Sequence, residues 1–418
     1  AENLYLIHNT RGLTQMRLGR LQPAEVSLKA ALELCGADGE KCDLKSTAAI
    51  YKNLTLLYLD KGETSPALFH SRRALELDLE RGDSLDIAYD RLLIAGQALE
   101  LRNLNDAARE IARAETLVAG LPDAAVRLKA RTLRSILDIM QGKSSIARKQ
   151  LTRAPATADS LSLPEYIWRL RYLLGETYYP GDIERALQEF SLASEAAMLW
   201  SSDVSGWKER TVFLDDRYRA FDRTVELLMT KGEYKSALET AARSDAIENR
   251  ELLFNRGVRL RGDEYYPEQE RALRSRLQAL KERKAALLAA GAAPEEIAGV
   301  RSRIERTQED YRDVLEEIAD DDPALFDVIY AEPPEPEAVQ RVLDSLTAVV
   351  YYYLTEDKAY VWMTAQDTII GSSLPASSGN IAQELNSFLQ IIDGKLDAEQ
   401  GARELYRVLL APVENYLK

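Results

Sequence analysis

The 418-residue sequence is poor in the side chains that bind metals or cross-link a chain, with two histidines and two cysteines. One cysteine pair is too few for a disulfide scaffold. Cys35 and Cys42 lie in a polar loop that could hold two reduced thiols or close a small disulfide. We interpret them as reduced thiols of a cytoplasmic protein; the alternative is an exported protein with a Cys35–Cys42 disulfide. His8 and His70 show no ligand spacing to the pair, so neither zinc nor any other cofactor is expected.

Long apolar runs are also missing, because no stretch approaches the roughly 18 residues that a membrane-spanning helix needs. No charged-then-apolar segment opens the chain, and it lacks an initiator methionine, so Ala1 is expected to follow a processed or truncated start. The net charge of −14 argues against nucleic acid as the main partner, since binding phosphates requires a basic face. Hydrophobic residues at 46% and charged residues at 29% are typical of a globular protein with two or three domains.

What the sequence does contain is an internal repeat of small residues. Successive alanines are separated by 43, 40, 40, 39 and 51 residues. They are Ala24, Ala67, Ala107, Ala147, Ala186 and Ala237. Seven residues further on, the first five are followed by a second alanine and the sixth by Ser244. Alanine lets two helix backbones approach closely, so the pattern predicts antiparallel helical hairpins that stack into a solenoid. We predict six hairpins from about Leu4 to Glu251 in one right-handed superhelix.

The repeat resembles the tetratricopeptide (TPR) family. Residues 231–241, KGEYKSALETA, are the closest single match, and Tyr58, Ala67 and Ala74 hold family positions in the second repeat. A short turn with glycine precedes several of the alanines, as in Lys61-Gly62-Glu63. The last interval is longer, and we interpret residues 198–207 as an extended loop or a kink.

From Tyr265 the periodicity becomes heptad-like, which predicts a charged antiparallel helical hairpin up to Pro323. Its apolar positions are Leu273, Leu277, Leu280 and Leu287 in one arm and Ile297, Val300, Ile304, Tyr311 and Ile318 in the other. An intermolecular coiled coil is the alternative, but each arm has only about three heptads. A proline-rich linker follows at residues 332–336.

The segment from Leu346 to Ile370 is the exception to the helical pattern. Residues 346–354 and 359–364 are β-branched and aromatic and are separated by a polar turn, so they predict two antiparallel strands, with a third beginning at Thr368. Two more helices follow, the last one carrying Leu405, Leu409 and Val413 with Pro412 as a possible kink. The predicted fold is therefore mainly α: a TPR-like solenoid at 1–256, a helical hairpin at 257–323 and a small α+β module at 324–418.

The hairpin, the segment Asp321-Asp-Pro-Ala-Leu325, the strand pair and the final helix 404–417 resemble the front half of the CHAT family. These are caspase-like modules found behind TPR arrays, and the resemblance implies the start of a caspase-like sheet. Family members that cleave peptides use a His–Cys dyad on strands beyond the last helix of this chain. No histidine or cysteine follows His70, so neither dyad residue is carried over and no catalytic residue is assigned. A site built from the N-terminal histidines and cysteines is disfavoured because nothing polar is placed to orient a base.

Two functions follow as hypotheses. In the first, the chain is the regulatory and substrate-recruiting region of a caspase-like CHAT cysteine peptidase, ending before the dyad. In the second, it is a non-catalytic interaction scaffold with a pseudo-peptidase module. In both, the partner is a protein or peptide, with no nucleic acid and no membrane, and the sequence does not define the oligomeric state.

TPR arrays bind peptides on the concave surface lined by the first helix of each hairpin, and the resemblance places a groove there. Its residues are Asn9, Lys52, Leu56, Ile136, Trp168, Arg171 and Tyr178. The alternative is that this face is filled by the chain's own side chains, since a helix that is apolar on two sides is normally buried on two sides.

Overall fold

The computed structural model describes residues 4–17, 19–36, 41–121, 123–160, 164–201, 218–255, 294–321, 333–393 and 399–416, and single residues between 269 and 326. This part of the chain is mainly helical and has a three-stranded antiparallel sheet near its C-terminal end, which confirms the predicted fold class. None of its helices is both long and apolar enough to cross a membrane.

The contacts between elements divide the chain into two compact units. The first contains residues 1–217 and 250–330, and the second contains residues 218–249 and 331–418. The sixth helical hairpin therefore belongs to the same unit as the sheet. The sequence assigned that hairpin to the solenoid, so contacts group the elements differently from the predicted domains. The single six-hairpin superhelix and its handedness stay predictions.

The first unit is built from consecutive helical hairpins. Helices α1 and α2, α3 and α4, α5 and α6, and α10 and α11 pack as pairs, and α7 packs on the shorter α8. Their bounds are α1 Leu4–Arg17, α2 Leu21–Cys35, α3 Leu44–Asp60, α4 Thr64–Arg81, α5 Ser84–Glu100, α6 Leu104–Val118, α7 Ala124–Met140, α8 Ser144–Leu151, α9 Ala154–Ser160, α10 Pro164–Tyr178 and α11 Ile183–Ser201. Pro155 has no N–H to donate to the carbonyl of Leu151, which accounts for the break between α8 and α9.

The alanine register is the packing register of these hairpins. All six repeat alanines have no exposed surface, and neither do the five alanines seven residues further on. In the first, third, fourth and fifth hairpins a fully buried large side chain lies between the two alanines: Leu28, Ile111, Leu151 and Phe190. These positions are therefore the close crossings that the sequence predicts.

The turns inside the hairpins need a left-handed backbone. Gly62 and Gly142 have φ angles of 73° and 74°, which glycine adopts without steric cost. The third hairpin has Arg102 at the corresponding place, with a φ of 58°, so one turn keeps its geometry without glycine. Side-chain caps begin the next helices; the carboxylate of Asp123, for example, accepts from the backbone N–H of Val126 at 3.0 Å.

The prediction that Cys35 and Cys42 are reduced is wrong in this structure. The two sulfurs are bonded at 2.09 Å, and the Cα atoms lie 4.8 Å apart. The N–H of Lys41 donates to the carbonyl of Cys35 at 2.9 Å, which folds the loop back and brings the thiols together. Cys35 itself is fully buried beside Met16 and Leu28 in the core of the first two hairpins.

The predicted helical hairpin is also present in the first unit. Its second arm is α14, Pro294–Asp321, and the residues described between 269 and 287 are helical. Leu277 packs against Val300 and Ile304, and these three side chains are buried. Of the loop or kink predicted at residues 198–207, residues 198–201 belong to α11, and residues 202–207 lie outside the described residues.

The second unit combines the sixth hairpin with the sheet and three C-terminal helices. Its elements are α12 Tyr218–Lys231, α13 Tyr234–Asn255, α15 Pro336–Val342, β1 Val349–Leu354, β2 Ala359–Thr364, β3 Ile369–Ser373, α16 Ser378–Asp393 and α17 Glu399–Leu409, followed by a 3-10 helix Ala411–Tyr416. The strand order is β1-β2-β3, and both pairs are antiparallel. Strand β1 begins at Val349 rather than at Leu346, which is 95% exposed.

The central strand β2 is buried at every residue because both faces of the sheet are covered. On one face, Val361 and Met363 pack with Ile381 of α16 and Val413 of the 3-10 helix, as expected for the last helices. The final helix predicted to reach Leu417 ends at Leu409. Pro412 has no backbone N–H and cannot continue the α-helical hydrogen bonds, so the chain changes to a 3-10 helix.

The sixth hairpin packs on the other face, and the sequence did not predict this contact between the hairpin and the sheet. The indole Nε1 of Trp362 donates to the carbonyl of Tyr234 at 2.9 Å. The hydroxyl of Tyr353 lies 2.8 Å from Asp222 Oδ1 and 3.0 Å from Ser244 Oγ. A side chain at Gly371 would meet Tyr234 at 2.9 Å, so β3 has to be this small where the helix approaches.

We expect Ala67→Leu to lower the free energy of unfolding by about 1–3 kcal/mol, because the larger side chain overpacks a fully buried crossing. Urea denaturation measures the loss. Ala112→Leu is the matched control, since Ala112 is exposed on α6 and its substitution should change stability by less than about 0.5 kcal/mol. Equal effects of the two variants would contradict the packing register.

Tyr353→Phe should destabilise the second unit by about 1.5–3 kcal/mol, because a hydrogen bond to a carboxylate is lost at a site where the ring is 4% exposed. Tyr352→Phe is the control on the same strand. Its hydroxyl donates to the backbone carbonyl of Leu409 at 3.2 Å, so about 1 kcal/mol or less is expected. A smaller loss for Tyr353→Phe than for Tyr352→Phe would show that the sixth hairpin is not held by this contact.

Candidate partner-binding surface

Three residues of the first two hairpins form a half-buried polar and apolar surface. The amide Nδ2 of Asn53 on α3 donates to the amide Oδ1 of Asn9 on α1 at 2.8 Å. Leu56, one turn further along α3, is half-buried against the core of these hairpins. We call Asn9, Asn53 and Leu56 the amide surface. Asn9 and Leu56 were predicted as groove residues, and Asn53 was missed although it adjoins Lys52.

An amide side chain can make several hydrogen bonds, and the structure shows one between these two. The second donor of Asn53 and the donors of Asn9 remain for another acceptor. Paired amides of this kind suit a peptide backbone, which presents both N–H and C=O groups.

Lys52 is held inside the protein rather than presented to a partner. Its Nζ lies 2.6 Å from Asp78 Oδ2, 3.3 Å from Asp86 Oδ1 and 3.4 Å from Asp90 Oδ1. Asp78 is fully buried and Asp90 is 2% exposed. Arg81 also pairs with Asp78 and, at 3.0 Å, with Asp86. Lys52 therefore ties α3 to α4 and α5, and its charge is already matched.

Three carboxylates lie within 3.4 Å of Lys52, and the protonation of Asp90 reflects this excess of negative charge. Burial raises the pKa of Asp90 to about 8, against the lowering effect of Lys52 and with a further raising effect of Asp78. Burial works to lower the pKa of Lys52, but the carboxylates of Asp90 and Asp78 bring it above its ordinary value. Protonation of Asp90 near neutral pH thus reduces the negative charge around Lys52.

Ile136 and Trp168 belong to the core, because their exposed fractions are 7% and 2%. Ile136 lies in the main cluster of the third to fifth hairpins. The guanidinium of Arg169 lies 5.0 Å from the indole ring of Trp168. At these two positions the structure agrees with the alternative prediction, in which the face is filled by the chain's own side chains.

Arg171 and Tyr178 share helix α10, and both already have partners. Arg171 Nη1 lies 2.9 Å from Glu189 Oε2 on α11. The guanidinium of Arg148 lies 4.3 Å from the ring centre of Tyr178, and that of Arg185 lies 5.7 Å away. Of the seven predicted groove residues, Asn9 lies beside Asn53, the residue that follows Lys52 in the sequence. Ile136 and Trp168 lie in the interior.

The cysteines and His70, which are candidates for nucleophilic or acid–base chemistry, are already engaged in contacts within the chain. Cys35 and Cys42 are joined to each other, so neither thiol is free to act as a nucleophile. Burial lowers the pKa of His70 to about 4, and its ring stacks on Tyr58 with ring centres 5.2 Å apart.

One group of acids in the second unit has the spacing for a metal ion. Carboxylate oxygens of Glu239, Glu335 and Glu337 lie within 4.8 Å of one another. Lys235 forms ion pairs with Glu239, at 3.7 Å, and with Glu337. The lysine supplies the positive charge at this place, and the group is most simply an ion-pair cluster.

Neither a scan against protein-family models nor a search of curated proteins gives a match to this chain.

The stability of the first unit should fall as the pH rises from about 5 to about 8. Because the folded pKa of Asp90 lies above the value near 3.9 of an unfolded aspartate, the folded state binds the additional proton within that window. The slope is at most about 1.4 kcal/mol per pH unit for one proton. Thermal unfolding at several pH values measures it. Asp90→Asn should reduce the slope and leave the contribution of Glu100, whose pKa burial raises to about 7.

Asp86→Asn is the control for that experiment, since the pKa of Asp86 is lowered rather than raised and the fall between pH 5 and 8 should remain. A slope that is the same in the wild type and in Asp90→Asn would show that Asp90 does not take up the proton.

Proposed function

We propose that the chain is a protein-interaction region in which the helical-hairpin array binds a protein or peptide partner at the amide surface. The observation that carries the proposal is the Asn9–Asn53 pair, which spans two consecutive hairpins at 2.8 Å and stays half-buried. Half-buried amides beside Leu56 offer backbone recognition and an apolar contact together. This replaces the longer groove of the sequence prediction with a shorter site on the first two hairpins.

The proposal extends to the parent protein through the resemblance to TPR and CHAT proteins. In that reading the array recruits a substrate or activator for a caspase-like cysteine peptidase whose sheet begins with β1, β2 and β3. The hydrogen bonds from Trp362 and Tyr353 to the sixth hairpin support it, because they join a repeat-type hairpin and the sheet in one core. A change in that hairpin would then act directly on the strands.

A non-catalytic scaffold with a pseudo-peptidase module is the second candidate. The two differ in the reading frame beyond residue 418. A strand followed by His-Gly and a later strand ending in cysteine favours the peptidase, whereas a stop codon favours the scaffold. For the compartment, the Cys35–Cys42 disulfide favours the exported alternative over the cytoplasmic one, since such bonds persist in oxidising environments.

A displayed library of random peptides, selected on the folded chain, tests the amide surface. We expect selected peptides to bind about thirtyfold more weakly to Asn9→Ala/Asn53→Ala, because two amide–backbone hydrogen bonds of about 1 kcal/mol each are lost. Fluorescence anisotropy measures the affinity and circular dichroism the melting temperature. Asn105→Ala, an exposed amide on α6, is the control. Peptides that bind the double variant as tightly as the wild type would place the site elsewhere.

A further inference from the structure

In the third hairpin, one buried carboxylate binds three arginines. Glu110 is 6% exposed, and its Oε2 lies 2.7 Å from Arg91 Nη1. Its Oε1 lies 3.2 Å from Arg113 Nη1 and 3.4 Å from Arg109 Nε. Arg109 also pairs with Asp106 at 2.7 Å. Two acids on α6 therefore neutralise a group of arginines on α5 and α6.

The fourth hairpin keeps the three basic positions and loses the two acids. Forty residues after the three arginines, the sequence has Arg131, Lys149 and Arg153. Forty residues after the two acids it has Ile146 and Gln150. The repeat alanines of these hairpins are also forty residues apart and equally buried, so the positions correspond in packing as well as in sequence.

A hydrogen bond between α7 and α8 brings the basic positions together. The hydroxyl of Ser135 donates to Gln150 Oε1 at 3.2 Å, where the two antiparallel helices meet. Arg131 lies one turn before Ser135, and Arg153 follows Gln150 by three residues. In antiparallel helices these two displacements have the same direction, so both arginines lie towards the same end of that contact.

Arg131, Lys149 and Arg153 are exposed, and no described carboxylate lies within ion-pair distance of any of them. We call these three residues the basic cluster. Residues 102–153 contain eleven Lys or Arg and five Asp or Glu, a net charge of +6 in a chain whose total is −14. In the fifth hairpin the carboxylate returns as Glu189, which pairs with Arg171.

We infer that the basic cluster is a binding site for carboxylate groups of an acidic segment of a partner protein. The partner supplies the charge that Glu110 supplies within the preceding hairpin. Ile146 is 47% exposed at the position that corresponds to Asp106, and it offers an apolar contact beside the charges. The basic cluster is on the fourth hairpin, whereas the amide surface is on the first two. The inference rests on the proposed function of the chain as a protein-interaction region.

A protein segment fits the cluster better than a nucleic acid does. Three cations within one hairpin match a few carboxylates, whereas a nucleic acid presents a long row of phosphates and requires an extended basic face. The chain outside residues 102–153 is acidic, and it repels a polyanion that extends beyond the cluster. An exposed isoleucine is also better matched by an apolar side chain than by a phosphate backbone.

The test is a fluorescence anisotropy titration of the full chain with a labelled peptide of glutamates and one leucine, at low ionic strength. We expect Arg131→Ala/Arg153→Ala to weaken binding by about tenfold or more. Gln150→Glu should weaken it similarly, because it places a carboxylate where the third hairpin has Glu110. It also removes the hydrogen bond from Gln150 Nε2 to Asp138 Oδ2 at 3.2 Å, so its stability is measured beside its affinity. Arg127→Ala/Lys143→Ala is the matched control, since it removes two exposed charges from the same hairpin and should change affinity by less than about twofold.

Circular dichroism verifies that each variant is folded, and the double alanine variant keeps the test valid if Gln150→Glu unfolds. The inference is overturned if the peptide does not bind, or if the control pair weakens it as much as the cluster pair. Inorganic phosphate competing at equal concentration of charge would show a small-anion site instead, and tighter binding of a single-stranded oligonucleotide would show a nucleic-acid site. Asn9→Ala/Asn53→Ala should leave this binding unchanged, so the two sites fail independently.

Discussion

The close approach of two helices at each buried alanine is the constraint on which the hairpin array depends. Because the alanines carry no atoms beyond Cβ, the backbones approach closely, and in four of the hairpins one large side chain fills the space between the two alanines. The partner helix then has to be small at the same level. A Cβ atom at Gly12 would lie 2.6 Å from Leu28, and one at Gly175 would lie 2.5 Å from Phe190. Large and small residues are thus matched across the crossing, and each hairpin presents the same shape to the next.

That tight stacking explains why polar residues are buried between neighbouring hairpins. Gln97 and Ser71 have almost no exposed surface, and Gln97 Nε2 donates to Ser71 Oγ at 2.8 Å. Lys52 is held by Asp78 and Asp90 in the same layer. A buried polar group that has lost its water must find a partner in the protein, so these side chains link neighbouring hairpins instead of facing a ligand. A surface that can bind a partner remains where side chains of a hairpin are only half-buried, or where its charged side chains have no oppositely charged neighbour.

The sequence predicts what depends on local periodicity and misses what depends on distant pairing. The alanine register and the strand pair follow from side chains a few residues apart, and the structure has both. The packing of the sixth hairpin on the sheet joins Tyr353 to Asp222 across 131 residues, and no local pattern specifies that pair. Tyr351 and Tyr353 gave a usable signal, because they are alternate residues of β1 and therefore face the same layer. The disulfide was missed because composition alone does not reveal how a loop folds back.

In a repeat protein, equivalent positions of different hairpins can be compared. Packing determines the residue type at some of these positions, whereas the residue type at neighbouring positions can vary. The third residue after each repeat alanine shows this freedom: it is His70, Glu110, Gln150 and Glu189 in the second to fifth hairpins. The alanines before them are all fully buried, so the backbone around these four side chains is set by the same crossing. A change from glutamate to glutamine at such a position alters charge with little effect on packing. At this position Gln150 accepts from Ser135 and donates to Asp138 Oδ2 at 3.2 Å, so the amide has partners within the hairpin. The exposed Arg131 and Arg153 do not have the carboxylate that Glu110 supplies in the preceding hairpin, which is why an external carboxylate is the partner we infer for them.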